Sequence, residues 1–394
     1  MAKKTVKKTA APKPAKKKPA AKTKPAAKRK LRLGLMTGGG DCPGLNAVIR
    51  GVVTRAEQDG HEVIGFLRGW AGLLPPDFKD KSVKVPTGQT LRLTHADVEE
   101  IHDQGGTILF SSRTNLKKIP GGYELAKQTL KKHGIDVLLA TGGDDTLSVA
   151  QELHREGVHV IGIPKTIDND LPGTDQTFGF DTAANIAMDA IDKLHSTAKS
   201  HERCLVVEIM GRHAGWITLA AGVAAHAHVV LIPEVPFDLE DIYRVVRDRK
   251  RAGKHYTIVA CSEGARPLKS QIDAMTDPGD KLEYDAFGNV KLGGVGGKLA
   301  DLIERNTGVE TRDVLLGHLQ RGGAPTMFDR IFGMRLGVAA VECAIRGQSG
   351  KFLSLQGTEI RPIDITEALG SSQETRKTKN VSLEHYESFR SFFG

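Results

Sequence analysis

The stretch Val137-Leu138-Leu139-Ala140-Thr141-Gly142-Gly143-Asp144-Asp145-Thr146 decides the fold. An apolar run of strand length ends in two glycines and a pair of acids, which reads as a buried parallel strand turning into a helix. The pattern repeats in Val158-His159-Val160-Ile161-Gly162-Ile163, which runs into Pro164-Lys165-Thr166-Ile167-Asp168-Asn169-Asp170. Open α/β sheets hold their ligands outside the carboxyl ends of the strands, and that is where both stretches set their acids and a lysine.

Working outward, strand-like and helix-like runs alternate. Strands are expected at Leu31–Met36, Glu62–Leu67 and Thr107–Phe110, with helices at Leu45–Gln58 and Tyr123–His133. In the first helix Leu45, Val48, Ile49, Val52, Val53 and Ala56 line one apolar stripe. A long helix over Asp181–Ser196 leads into a second series: strand Cys204–Met210, helix Trp216–Ala227, strand Val229–Ile232, helix Leu239–Arg251 and strand Thr257–Cys261. The alternation predicts two doubly wound, Rossmann-like α/β domains with mainly parallel sheets and a ligand cleft between them.

The chain has 394 residues and 39% apolar content, enough for large cores. Its formal charge of +9 is a local matter. The first thirty residues hold 13 of the 56 basic residues and none of the 47 acidic ones, leaving about −4 on the rest. That Lys/Ala/Pro-rich tail, residues 1–30, is expected to be disordered. It reads as a passive solubilising extension, a weak polyanion-binding arm or a targeting peptide, with the first favoured. Nothing before Leu31 supplies the apolar core of a secretory signal, and no stretch approaches a membrane span. Cys42, Cys204, Cys261 and Cys343 are scattered without a CxxC pair, which points away from a zinc knuckle or disulfide framework and toward the cytoplasm.

Three loops carry chemistry. Thr37-Gly38-Gly39-Gly40-Asp41-Cys42-Pro43-Gly44 joins a strand to a helix and can present backbone N–H groups to phosphate, yet it is neither a dinucleotide fingerprint nor a P-loop; a plain tight turn is the alternative. In Gly142–Thr146 the adjacent carboxylates need a neutralising cation, for which Mg2+ is the natural candidate, unless Asp144 merely caps the next helix. Asp168 can deprotonate a hydroxyl that attacks phosphorus, and Lys165 can meet phosphate oxygens. Arg203, Met210-Gly211-Arg212, Glu263-Gly264, Arg312 and Gly317-His318-Leu319-Gln320-Arg321-Gly322-Gly323 lie at further strand ends, offering cations for a sugar phosphate and polar groups for its hydroxyls.

With these motifs in order, residues from about Leu31 to Gly370 resemble the phosphofructokinases. The resemblance rests on TGGGDCPG, GGDDT, PKTIDND, MGR, the Glu-Gly at Glu263, ETR ending at Arg312, and GHLQRGG. It implies transfer of a phosphoryl group to O1 of fructose 6-phosphate, with Asp168 as base, Asp144 as Mg2+ ligand, Gly39 and Gly143 on the donor phosphates and Arg212 on the transferring group. Thr166, Ile167, Met210, Gly211, Glu263, His318 and Arg321 would hold the sugar. Arg203 and Arg312 would reach its 6-phosphate from a neighbouring subunit, implying a homodimer or homotetramer. Residues 31–179 plus roughly 320–372 would bind the donor, and residues 180–319 plus the C-terminal segment the sugar.

The resemblance also bears on the donor. ATP-using members carry glycine where Asp145 stands; pyrophosphate-using members carry aspartate there and a lysine at Lys165. A carboxylate in place of hydrogen would crowd and repel the α-phosphate of a nucleotide, whereas pyrophosphate ends before reaching it. The expectation is therefore a reversible pyrophosphate-dependent enzyme serving glycolysis and gluconeogenesis, with an ATP-dependent one as the alternative. Thr54 and His228 replace an arginine and a carboxylate neighbourhood of the bacterial effector site, which argues against nucleotide control. A non-enzymatic reading, with the tail binding DNA and the body a relic, is the competitor from another class.

Overall fold

The structure, a computed structural model, describes residues 29–276, 294–371 and 377–393. The readings of the basic tail fall on residues 1–28, outside this set. Strands run in chain order as β1 Arg32–Thr37, β2 Glu62–Phe66, β3 Thr90–Leu93, β4 Val137–Gly142, β5 Val160–Pro164, β6 Cys204–Ile209, β7 Val229–Leu231, β8 Thr257–Ser262, β9 Thr311–Leu315, β10 Lys351–Gln356 and β11 Glu359–Asp364. The helices are α1 Leu45–Gln58, α2 His95–Val98, α3 Gly122–Lys132, α4 Asp144–Arg155, α5 Phe180–His201, α6 Trp216–Ala224, α7 Leu239–Arg251, α8 Val295–Thr307, α9 Met327–Ile345, α10 Ile365–Leu369 and α11 Leu383–Ser388.

A seven-stranded sheet has the order β11-β10-β5-β4-β1-β2-β3 and a four-stranded one the order β7-β8-β6-β9. All pairings are parallel except the edges β2–β3 and β10–β11. The chain leaves β1 toward β2 on one side and returns to β4 on the other, so a topological switch point lies between β1 and β4. The expected α/β fold with mainly parallel sheets is therefore what forms.

The strands of the large sheet are apolar because helices cover both faces. Leu33 and Leu35 of β1, Leu138 and Leu139 of β4 and Ile161 and Ile163 of β5 are fully buried. One core cluster continues from Leu33 and Leu35 through Ala183, Ala187 and Ile191 of α5 to Leu205 and Val207 of β6. Both sheets thus share apolar packing, with α5 between them.

Helices α1 and α9 meet almost backbone to backbone. A Cβ on Gly51 would lie 2.3 Å from the Met334 carbonyl oxygen, and one on Gly337 would lie 2.4 Å from that of Val48. Only glycine fits at such a crossing.

One expected element is absent. Thr107–Phe110 is a turn, not a strand: Phe110 N–H donates to the Thr107 carbonyl (3.1 Å), and Phe110 takes a left-handed φ of 54°. The Thr37 hydroxyl bonds the Phe110 carbonyl (2.9 Å), and Asn46 Oδ1 accepts from Ile108 N–H (2.9 Å). Side chains from β1 and α1 thereby satisfy backbone groups that a sheet neighbour would otherwise take. Among the described residues no helix is long and apolar enough to cross a membrane.

Candidate active site

Register assembles the site. Thr37 of β1 pairs with Thr141 of β4, and Thr141 with Ile163 of β5. Two residues further along each strand, Gly39, Gly143 and Lys165 stand side by side at the switch point. In the small sheet Ile209 pairs with Ser262, which brings Met210 level with Glu263.

The glycines of the first two loops permit close packing. A Cβ on Gly38 would lie 2.8 Å from Thr146 Oγ1, and one on Gly142 would lie 2.3 Å from Thr146 Cβ. The buried Thr146 thus fills the space under both turns. Gly143, not Asp144, is the N-cap of α4, so the helix-cap reading of Asp144 fails; Asp144 and Asp145 occupy the first turn, where the helix dipole favours negative charge. Asp145 is solvent-exposed, and its main-chain carbonyl accepts from Ser148 Oγ (2.9 Å).

Two cations converge on the Gly39–Asp41 loop. Lys165, 4% exposed, donates from Nζ to the Gly40 carbonyl. Arg321 Nη1 donates to the Asp41 carbonyl (3.1 Å), and a Cβ on Gly40 would meet that same nitrogen at 2.8 Å. Burial lowers the Lys165 pKa, and the Arg321 charge adds to the effect; Asp168 and Asp41 pull the other way. The N–H of Gly39 is already given to the Ser112 carbonyl (3.1 Å), while its carbonyl accepts from Ser111 Oγ (2.5 Å). A phosphate contact through the Gly39 amide would have to exchange that bond.

Asp168 is half-buried in the turn after β5, where its N–H bonds Thr166 Oγ1 (3.1 Å). Burial pushes its carboxyl above the usual carboxylate range; Arg321 and Lys165 oppose the shift and Glu263 reinforces it. Thr166 is anchored through its carbonyl by Thr177 Oγ1 (2.7 Å), and Ile167 is buried as a packing residue.

On the sugar side, Gly211 has φ 138° and its carbonyl accepts from Ser262 Oγ (2.5 Å). A Cβ on Gly264 would lie 2.0 Å from the Arg212 carbonyl, so the loops after β6 and β8 touch at their backbones. Arg212 and His318 are exposed, and Met210 is half-buried.

Arg203 and Arg312 are not brought to this group. They precede or begin β6 and β9, at the opposite end of the small sheet, roughly six residues of strand at about 3.3 Å each from Met210. There Glu310 bridges them, bonding Arg203 at 2.8 Å and Arg312 at 2.8 Å, while Glu304 takes Arg312 at 3.0 Å.

Sequence reasoning missed two parts. The segment Phe110–Arg113 faces Gly39–Asp41 across a cleft of about 410 Å³, with the Arg68 guanidinium 4.9 Å from the Phe110 ring centroid. The Gly105-Gly106 pair and the polar run after Phe110 were the available signal for a loop there. Asp170 is the other: burial, then the Asp168 charge, raise its pKa to about 6.

A doubly wound α/β protein with two cations, a half-buried carboxylate and paired acids gathered at the carboxyl ends of its strands is the class these features define. The chain belongs to the phosphofructokinase family, whose family model "Phosphofructokinase" matches residues 32–344. It is 48% identical over 365 residues to a "Pyrophosphate--fructose 6-phosphate 1-phosphotransferase" of Dictyoglomus thermophilum, covering 92% of this chain and 99% of that one. It is 45% identical to "ATP-dependent 6-phosphofructokinase 3" of Streptomyces coelicolor, covering 86% of this chain and 95% of that one. Among solved structures, Pichia pastoris phosphofructokinase in the T-state superposes with a TM-score of 0.71 at 27% identity, covering 94% of this chain; this chain spans 38% of that longer one.

Proposed function

We propose that the protein is a pyrophosphate:fructose 6-phosphate 1-phosphotransferase, moving a phosphoryl group reversibly between pyrophosphate and O1 of fructose 6-phosphate. The observation that carries this reading is the convergence of Lys165 and Arg321 on the Gly39–Asp41 loop beside Asp168 and Glu263. Two buried or half-buried cations that no carboxylate among the described residues bonds suit a compact polyanion. Asp168 accepts the proton of the sugar's 1-hydroxyl as that oxygen bonds phosphorus. The bridging P–O bond breaks in line, and inorganic phosphate leaves with the electron pair. A raised pKa makes Asp168 a stronger base than a solvated aspartate. Lys165 offsets charge growing on the leaving phosphate, and Arg212 meets the transferring group.

Mg2+ belongs to this proposal. Among the described residues no cluster of three or more histidine, cysteine or acidic side chains could hold a metal. One or two adjacent carboxylates completed by substrate phosphates are the donor set Mg2+ prefers, and Asp144 beside Asp145 supplies it. Bound there, the ion would neutralise charge on the phosphoryl oxygens. The division into a donor-binding part (31–179 with about 320–372) and a sugar-binding part follows the same reading, as do Gly39 and Gly143 on the donor, and Thr166, Ile167, Met210, Gly211, Glu263, His318 and Arg321 around the sugar. The separation of Arg203 and Arg312 from Asp168 agrees with their serving a second subunit of a homodimer or homotetramer. Four buried free cysteines suit a reducing compartment such as the cytoplasm.

Relatives named for either donor match at similar identity, so the donor assignment rests on Asp145 and Lys165. A coupled assay with each donor tests it: turnover with pyrophosphate and little with ATP is expected, and turnover with ATP alone overturns it. Asp145→Gly should raise ATP-dependent turnover; no gain would remove the steric and charge argument for that carboxylate.

A further inference from the structure

Lys379, in the C-terminal segment, reaches the turn that carries Asp168. Its ammonium donates to Asn169 Oδ1 (2.7 Å), the Asp175 carbonyl (2.9 Å) and the Thr174 carbonyl (3.1 Å). Three acceptors match its three protons, and all are neutral dipoles. Its main-chain N–H donates to the Asp170 carbonyl (2.8 Å). Its carbonyl accepts from Trp216 Nε1 (2.7 Å), and its Nζ stands 5.7 Å from the Trp216 ring centroid. Trp216 opens α6, four residues beyond Arg212. Two residues past Lys379, Val381 N–H donates to Glu234 Oε1 (2.9 Å), the same oxygen that takes Gly215 N–H (3.0 Å). One residue is therefore bonded to the turn after β5 through its N–H and side chain, and to the start of α6 through its carbonyl.

The turn has reason to need such a hold. Asn169 sits at a left-handed φ of 52°, a conformation asparagine tolerates but does not favour. Its Oδ1 is shared between the Thr177 N–H (3.1 Å) and the Lys379 ammonium, so both bonds brace the residue next to Asp168. A small displacement of a reacting group is costly in rate.

We propose that Lys379 is a positioning residue that fixes Asp168 relative to the Arg212 side of the site, acting through Asn169 and Trp216. The proposal rests on Asp168 being the base. Steady-state kinetics of the full chain with fructose 6-phosphate and pyrophosphate test it in Lys379→Met, Lys379→Arg, Asn169→Gly and the double variant Lys379→Met/Asn169→Gly, with thermal midpoints measured alongside. Lys379→Met should lower kcat by about tenfold or more with KM for pyrophosphate unchanged within about twofold, and Lys379→Arg should recover much of the loss. In the Asn169→Gly background, which keeps the left-handed backbone but removes the shared acceptor, adding Lys379→Met should change kcat by less than about twofold. A parental kcat in Lys379→Met overturns the proposal. So does an equal loss with and without the Asn169 side chain, or a loss in Lys379→Met and Lys379→Arg alike that follows the thermal midpoint, since Lys379 would then be structural only. If Lys379→Met does not fold, the Lys379→Arg kinetics decide: a parental KM with kcat at least half the parental value is expected, and a changed KM at unchanged kcat overturns it. Asp168→Asn separates the two readings: near-parental kcat there sinks the base assignment itself, whereas a dead Asp168→Asn beside a fully active Lys379→Met sinks the clamp alone.

Discussion

At the residue scale, Asp168 illustrates how position sets chemistry. Its carboxyl is pushed up by burial against the pull of Arg321 and Lys165. A base with a raised pKa takes up its proton sooner as pH falls, and the protonated form cannot accept the sugar's proton. Hence kcat/KM should decline on the acid side from above the ordinary carboxylate range, a limb that a pH–rate profile will show. Asp168→Asn should lower kcat by about 10²-fold or more; a near-normal rate would mean that another group takes the proton. At this scale much of the site was legible. Lys165, Asp168, Glu263 and Arg321 could be read from motif order, and they come together. What could not be read was which backbone groups the loops consume internally, since the Gly39 N–H goes to Ser112 and no local pattern announces that. Nor could the bond from Lys379 to Asn169, which spans 210 residues of sequence.

Among the elements, those with a clean period were legible. The stripe of α1 gave its bounds, Leu45–Gln58, and α7 likewise matched at Leu239–Arg251. Helix α9 went unread because apolar residues lie on its outer face too, Met327 and Ile331 being exposed while the charged Asp329 is buried, and because Gly333 and Gly337 read as breakers. Thr107–Phe110 was misread for the opposite reason, since four strand-favouring residues are bent by bonds from Thr37 and Asn46. The contact of α1 with α9 supplies the test at this scale. Gly337→Ala places a methyl 2.4 Å from the Val48 carbonyl oxygen, against backbone that cannot yield alone. It should destabilise the protein by about 1–3 kcal/mol despite the helix preference for alanine, and a denaturant midpoint raised or unchanged would contradict the close-packing account.

For the whole molecule, the proposed role of Arg203 on the sugar phosphate, from the end of β6 opposite Met210, would require a second chain to complete the site. Arg203→Ala should raise KM for fructose 6-phosphate by about tenfold, the effect of losing one charged hydrogen bond, with kcat less affected. Mixing Arg203→Ala subunits with Asp168→Asn subunits should restore turnover at near-parental KM, because one face of each hybrid carries both intact residues. Mixtures no better than their separate components would place both functions in a single chain.

The apolar layer that runs from Leu33 across α5 to Val207 leaves no seam between the sheets. Each half keeps a smaller interior of its own, around Val206, Val259 and Leu299 on one side and Phe66, Trp70 and Leu138 on the other, but the shared layer ties the two together. Heat should therefore dismantle donor and acceptor pockets in the same event, and a heritable change that loosens one will be felt in the other.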